Sequence, residues 1–448
     1  MKIGEQMGWE VIFWNHTPFN LEKLGYKEIK LEGRANTKTD LLKRAKIEAE
    51  LNYFSRKLKD PVYQTYKFAN SHQNLKAKIK TGIVQGLVAT HKDEKGLQRL
   101  RTKMKSSERK GAYYQKCKEI LQEEKPDLVF CTNQRPVNAI APLTVAQDLK
   151  IPTSTFIFSW DNLPKATMVV ETDYYFVWSE YMKAELLKYY PQIKESQVHI
   201  TGTPQFEPHY NGDLRQSRED FFKEYGLDYT KKYICFSGDD ITTSPDDPAY
   251  LNDLAYAIKL LNAKGHNLEI IFRRCPVDFS NRYDGVLKKH REIITSIAPI
   301  WKKTGDNWNS VLPRKEDLKL QINTILHSEL VVNLGSSMVF DFAIFKKPCL
   351  YLNYEVKAKT KASWSHKKVY DFVHFRSMPT DKEVFWLNSK EEIPAKLEKA
   401  LKNPMQKAEK ALEWYKRINT FPADKASERI WRKLEIILDQ NTLKTENR

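Results

Sequence analysis

The sequence predicts an α/β protein built of two Rossmann-like domains facing across a cleft. Three observations carry that prediction. Short runs rich in Val, Ile, Phe and Tyr recur along the chain, helix-patterned stretches separate them, and the runs are apolar at consecutive rather than alternate positions. Consecutive apolar positions suit strands covered on both faces, and helices between them make the strands parallel. The strands are too many for one small doubly wound domain.

Taken in order, Lys2–Met7 reads as the last turns of a helix stopped by Gly8, and Val11–Trp14 as the strand that follows. A Rossmann-like domain ordinarily opens on a strand. Either a strand precedes this sequence, or the first sheet is one strand short. Residues 38–125 are helical in pattern, with Leu75, Ile79, Ile83 and Leu87 recurring every four positions. Strands are next expected at Asp127–Cys131, Ser154–Phe158, Tyr174–Trp178 and Val198–Thr201. A polar, Gly-containing break at Tyr210–Gln216 separates these from strands at Tyr233–Phe236, Leu268–Phe272, Leu330–Asn333 and Cys349–Leu352. Helices fall at Glu180–Tyr190, Ala249–Asn262, Arg314–His327, Val339–Phe345 and Ala395–Leu401. The domains are drawn accordingly as 1–212 and 213–403. A helical tail, 404–448, interrupted near Phe421 and Pro422, is expected to pack back toward the first domain.

Composition narrows the class. Of 448 residues 41% are hydrophobic, enough for large cores, so disorder and a disulfide-stapled mini-protein are excluded. No run approaches the length of a membrane-spanning helix, and Met1–Trp9 lacks the apolar core of a signal peptide. The five Cys are widely spaced without a Cys-x-x-Cys pair, which reads as reduced thiols in the cytoplasm. The net charge is +17, and residues 38–125 alone hold 22 Lys or Arg against 10 Asp or Glu. Such a block is either the solvated face of an ordinary domain or a surface for an anionic partner, foremost the inner face of the plasma membrane. No nucleic-acid motif accompanies it.

The strongest chemical signal is Asn333-Leu334-Gly335-Ser336-Ser337, leading into a helix that carries Asp341, with Lys347-Pro348 beyond. A buried strand here ends in a small-residue turn that opens a helix. Gly335 permits close backbone approach, while Ser336 and Ser337 offer hydroxyls to a phosphate or cap the helix. Two further stretches are expected to converge there. One is the strand running into Ser237-Gly238-Asp239-Asp240, the other the strand ending in Arg273-Arg274. These arginines point to opposite faces, so only one is expected to reach a phosphate, the alternative being that arginines leaving a strand are plain surface charges. In the first domain Asp161 follows a strand end, as a general base or as the cap of a turn. His16 is placed similarly, as a second candidate or a structural histidine. Metal-ligand clusters, Asp-x-Asp, Gly-x-Ser-x-Gly and a Walker loop are absent from the sequence.

These motifs resemble known ones. The run from Asn333 to Asp341 with Lys347-Pro348 is similar to the donor-site motif of bacterial GT-B glycosyltransferases and to the matching stretch of CDP-glycerol glycerophosphotransferases. Ser159-Trp160-Asp161-Asn162-Leu163, Val177-Trp178-Ser179-Glu180 and Val198-His199-Ile200-Thr201-Gly202-Thr203 resemble further bacterial GT-B proteins, in the same order. The resemblance covers residues 126–355. It implies that Gly335, Ser336 and Ser337 hold the donor's phosphates and that Asp341 sits near its sugar or ribose. Where the glycerophosphotransferases carry a His-Pro pair, this chain has Arg274-Cys275 before Pro276. That departure weakens the expectation of CMP- and CDP-linked donors and sets a UDP- or GDP-sugar at least level with them.

The implied activity is metal-independent transfer of a sugar from a nucleotide-sugar co-substrate to a saccharide or lipid-linked acceptor, in cell-surface polysaccharide or glycolipid synthesis. Ser237, Gly238, Arg273 and Arg274 would complete the donor pocket, and Asp161 or His16 would handle the acceptor hydroxyl. A glycerophosphotransferase, a nucleotide-sugar epimerase and a non-catalytic polyanion binder are the alternatives.

Overall fold

The computed structural model describes residues 2–67, 74–305 and 310–446. The chain divides into two compact units. One comprises residues 1–16, 20–203 and 418–448, the other residues 17–19 and 204–417. The division therefore follows Thr203 rather than residue 212. The tail is shared as well: the helix Met405–Ile418 belongs to the second unit, save its last residue, and Ala426–Glu446 to the first.

In the first unit β1 (Phe13–Asn15) pairs in parallel with β2 (Glu28–Lys30), apart from the main sheet. The main sheet is β3 (Val129–Cys131), β4 (Thr153–Phe156), β5 (Tyr174–Val177) and β6 (Val198–Ile200), all parallel and in sequence order. Stepwise order reflects helical crossovers such as Ile140–Asp148 and Glu180–Tyr189. The last helix closes one face, setting Ile430, Leu434 and Ile437 against Phe176, with Phe130 and Phe156 beside them.

Residues 37–124 of this unit form the helices Thr37–Lys57, Leu75–Thr90, Glu94–Glu108 and Ala112–Glu124. The first three share a core of Leu42, Ala45, Ala49, Val84, Val88, Leu97, Leu100 and Met104, while the fourth packs Tyr113, Tyr114, Cys117 and Leu121 against Leu31, Ala141 and Val145. A buried charge cluster adds to it. Lys46, 0% exposed, donates to the Met168 carbonyl and pairs with Glu50 Oε2 at 2.8 Å. Arg101 Nη2 reaches Glu50 Oε1 at 2.7 Å, and its Nη1 reaches Glu171 Oε1 at 3.2 Å.

The second unit holds a six-stranded parallel sheet. Its strands are β7 (Lys232–Ser237), β8 (Leu268–Arg273), β9 (Ile294–Ser296), β12 (Ser328–Asn333), β13 (Cys349–Leu352) and β14 (Phe385–Leu387), in the order β14-β13-β12-β7-β8-β9. A separate antiparallel hairpin joins β10 (Trp301–Lys303) to β11 (Val311–Pro313). The central strands are apolar on both faces: Tyr233, Ile234, Cys235 and Phe236 are wholly buried, as are Leu330, Val331 and Val332. The chain winds outward from β7 to β9, then returns to the other side of β7 as β12. The sheet's topological switch point thus lies between β7 and β12, and ligands of open α/β sheets bind outside the carboxyl ends of strands at such a point.

Candidate functional site

Because every strand of this sheet runs the same way, the ends of β12, β7 and β8 share one edge. Register places Val332 beside Phe236 and Ser237 beside Arg273, and the Gly238 N–H donates to the Arg273 carbonyl at 2.9 Å. The three stretches singled out in the sequence therefore follow three adjacent strands at one edge of the sheet, with the switch point between β12 and β7.

The turn after β12 is pinned from below. Asn333, fully buried, accepts from the Ser336 N–H at 2.9 Å, and Tyr351 donates its hydroxyl to the Ser336 carbonyl at 3.0 Å. Gly335 takes φ +68°, where a side chain is strained. A Cβ there would lie 2.9 Å from Val369 and 3.0 Å from Phe375. Close packing beneath the segment 369–375 accounts for this glycine, where the sequence suggests an approach to ligand. The helix that follows, Met338–Ile344, is short. Ser337 makes no side-chain cap, while Ser336 Oγ accepts a long 3.4 Å bond from the Met338 N–H. Both serines are partly exposed.

Asp341 is buried on this helix, its Oδ1 2.8 Å from His209 Nε2. That contact joins the helix to the segment 204–210. Lys347 donates to the Leu326 carbonyl at 2.6 Å and to that of Ser328, and burial pushes its ammonium down to about 8.

The two arginines differ as their alternation requires. Arg273 is buried and its Nη2 pairs with Asp317 Oδ2 at 2.8 Å. Asp317 also accepts from the Ile300 N–H at 2.8 Å and Trp301 Nε1 at 2.7 Å, so this pair knits the fold. Arg274 is partly exposed, with its guanidinium over the Tyr283 ring and a 3.3 Å bond to the Ser280 carbonyl. Of the pair, Arg274 is the more accessible.

A cluster of carboxylates follows β7, and sequence reasoning did not weigh it. Asp247 Oδ2 accepts from the Asp239 N–H at 2.6 Å and the Tyr283 hydroxyl at 3.0 Å, and its Oδ1 from Ser244 at 2.5 Å. Arg282 closes the loop, donating to the carbonyls of Asp239 and Ser244 at 2.6 Å each and to Asp278 Oδ2 at 2.7 Å. Gly238 is buried under Tyr283, whose hydroxyl would lie 2.7 Å from an added Cβ. Burial pushes the Asp247 carboxyl up to about 6, against the lowering hydrogen bonds of Ser244 and Asp239. Burial, then Asp247 and Asp240, raises Asp239 well above the ordinary carboxylate range. Asp240 goes the other way: burial opposes its charge, but the hydroxyls and N–H groups of Thr242 and Thr243 outweigh it. The only hint in the sequence was the Asp239-Asp240 pair at a strand end. Arg282 and Tyr283 lie far downstream in an irregular segment.

In the first unit, Asp161 accepts from Ser159 Oγ at 2.7 Å and Asn162 Nδ2 at 3.0 Å, and pairs with Lys165. His16 is exposed. Its Nδ1 lies 2.8 Å from the Leu31 carbonyl, which makes Nδ1 the protonated nitrogen, and Nε2 meets Asn138 Nδ2. Both side chains are thus engaged by local partners.

Parallel, Rossmann-like sheets in two units, with three motif-bearing strand ends gathered at a switch point, are the components of a GT-B-type transferase. The family model of CDP-glycerol:poly(glycerophosphate) glycerophosphotransferase matches residues 161–436, more than half of the chain, and the chain belongs to that family. Among solved structures it is similar to the Staphylococcus aureus MnaA–UDP structure, with 15% identity, 76% of this chain and 82% of that one covered, and a TM-score of 0.47. It is also similar to a glycosyltransferase from Rickettsia africae, with 11% identity, coverages of 74% and 82%, and a TM-score of 0.44. No curated protein sequence matches it.

Proposed function

We propose that this transferase moves a sugar from a nucleoside-diphosphate donor to an acceptor hydroxyl in the synthesis of a cell-surface polysaccharide or glycolipid. The observation that supports the reading is that the Ser336–Ser337 turn, the Ser237–Gly238 bend and Arg274 follow three adjacent strands, β12, β7 and β8, at one edge of the sheet. As the bond between sugar carbon and phosphate oxygen breaks, its electron pair stays on the leaving nucleoside diphosphate. Hydroxyls and N–H groups of the turn together with Arg274 then balance the growing charge. The acceptor oxygen forms the new bond and gives up its proton, for which Asp161 and His16 are the proposed recipients.

Family membership favours a second reading, glycerophosphoryl transfer from CDP-glycerol. There the acceptor oxygen attacks phosphorus and CMP departs. The arginines preceding Pro276 weigh toward the first reading, because a guanidinium neutralises charge but does not exchange a proton near neutrality. Released nucleotide separates the two. UDP or GDP formed from a nucleotide-sugar supports glycosyl transfer, and CMP formed from CDP-glycerol overturns it. A thermal-shift series with UDP, GDP, CDP and CMP comes first, since a ligand of the native state raises the melting temperature without an acceptor.

A further inference from the structure

We propose that Phe158, just past the carboxyl end of β4, is a stacking platform for an uncharged sugar ring of the acceptor. The inference concerns the first unit alone. It deepens the function proposed above and rests on the part of that reading that gives the acceptor to Asp161 and its surroundings, not on the identity of the donor.

One apolar side chain stands apart in the turn that follows β4. Ile157 and Leu163 are 4% and 2% exposed, whereas Phe158 is 49% exposed. A Phe ring left in water forgoes the burial that its neighbours obtain. A loose loop does not explain the exposure. Trp178 Nε1 donates to the Ile157 carbonyl at 2.8 Å, and the Ile157 N–H donates to the Phe176 carbonyl at 2.9 Å. Beyond the ring, the Asn162 N–H donates to the Ser159 carbonyl at 3.1 Å, and the Thr167 hydroxyl to the Asn162 carbonyl at 2.8 Å. The backbone is held on both sides of Phe158, so a ligand need not order the turn when it binds. β4 lies between β3 and β5 in a sheet whose strands all run one way. Its carboxyl end therefore opens on the edge outside which open α/β sheets bind ligands.

Chemistry selects the ligand. The polar groups next along the chain are the Ser159 hydroxyl, the Asp161 carboxylate and the Asn162 amide, already joined through Asp161 Oδ1. Ser159 and Asp161 are partly exposed, and so is Trp160, which adds a second aromatic side chain to the turn. A pyranose has an apolar face of C–H groups and a rim of hydroxyls. An aromatic face with a few hydrogen-bonding groups close by in a rigid turn matches that division. Charge argues the same way. Between Ile157 and Ala166 the sequence has one acid and one base, Asp161 and Lys165, and the two pair. The turn is locally neutral, and its one cation is committed. A phosphodiester-linked acceptor would call for a free cation at this place; an uncharged ring does not.

The test is saturation-transfer NMR on the full chain without donor. The probes are the methyl β-glycosides of glucose, galactose and N-acetylglucosamine, with glycerol phosphate as the charged, ring-free comparison. Phe158→Ala, Phe158→Leu and Phe158→Tyr are set beside the wild type; the side chain is exposed, so all three should melt with it. The expected result is saturation of the ring C–H protons of at least one glycoside. Its affinity should fall roughly tenfold in Phe158→Ala and Phe158→Leu and be kept in Phe158→Tyr. A merely structural role would be filled by Leu as well as by Tyr. Absence of glycoside binding to the wild type, glycerol phosphate as the one probe bound, or undiminished binding in Phe158→Leu overturns the proposal. Nucleotide release, measured separately, reports the donor. CMP formed from CDP-glycerol while a glycoside still binds through Phe158 would sink glycosyl transfer and leave the platform standing.

Discussion

Replacing Ser337 by Ala removes one hydroxyl from a partly exposed turn without opening a cavity. Ser337 caps no helix N–H, whereas the Ser336 hydroxyl accepts from Met338 and its N–H is held by Asn333. If the turn receives donor phosphates, the uncommitted hydroxyl of Ser337 carries the side-chain part of the contact. A hydrogen bond to a charged group contributes about 1.5–3 kcal/mol. Ser337→Ala should therefore weaken nucleoside-diphosphate binding roughly 10- to 150-fold. Ser336→Ala loses a long bond within the protein and should change affinity by less than about threefold. Isothermal titration with the nucleotide that gives the largest thermal shift measures both. Unchanged affinity in Ser337→Ala, with the nucleotide still bound, refutes the assignment of phosphates to this turn.

Two predictions concern the first unit. Glu185 is 7% exposed, and burial, only partly opposed by Lys188, pushes its carboxyl from 4.5 up to about 8. The folded state holds this proton more tightly than the unfolded state, so stability is full below pH 4.5 and is lost as pH rises toward 8, by about 3 kcal/mol at pH 7. Glu185→Gln should remove that pH dependence in urea unfolding, and parallel pH profiles for variant and wild type would contradict it. In the buried cluster, Glu50→Ala leaves Lys46 without a carboxylate and Arg101 with Glu171 as its remaining one, and should cost about 3–5 kcal/mol. Lys46→Met leaves Glu50 paired with Arg101 and should cost less than half as much; equal losses in denaturant midpoint would contradict that division of roles.

Legibility in the sequence followed burial. The strands read correctly are all four of the first sheet, β3 to β6, and β7, β8, β12 and β13 of the second, of which the last four announce themselves as unbroken apolar runs. The strands missed are short and lie at edges or outside the main sheets. Glu28-Ile29-Lys30 and Trp301-Lys302-Lys303 are strands through pairing alone, with side chains that would suit a loop. β9 and β14 bound the second sheet. The helix at 75–90 shows the limit of periodicity, which reveals a face but not whether that face turns inward. At the candidate site the strand-end motifs were legible because small residues after an apolar run have few other uses. The burial of Arg273 and Asp341 was not, since their partners Asp317 and His209 are remote in sequence.

Carboxylates beside a proposed phosphate site demand an account, because two like charges repel. Asp239 lies in the loop directly after β7, its Oδ2 buried without a partner, with Asp247, Asp240 and Arg282 around it. Burial and its acidic neighbours hold its carboxyl well above the ordinary range, which favours the protonated form over a wider span of pH than an exposed aspartate has. A protonated carboxyl does not repel phosphate and can donate a hydrogen bond to it. Its raised folded value means that the neutral form prevails at low pH and is lost as pH rises through the titration of this group. Donor affinity in the proposed site should therefore fall as pH rises through that titration, where ionised Asp239 would face the phosphates. Asp239→Asn fixes the neutral form and should flatten that fall while keeping the affinity seen at lower pH. Titrations of both proteins with the same nucleoside diphosphate across pH decide the matter. An equally steep decline in Asp239→Asn would place the pH-sensing group elsewhere and remove Asp239 from the donor site.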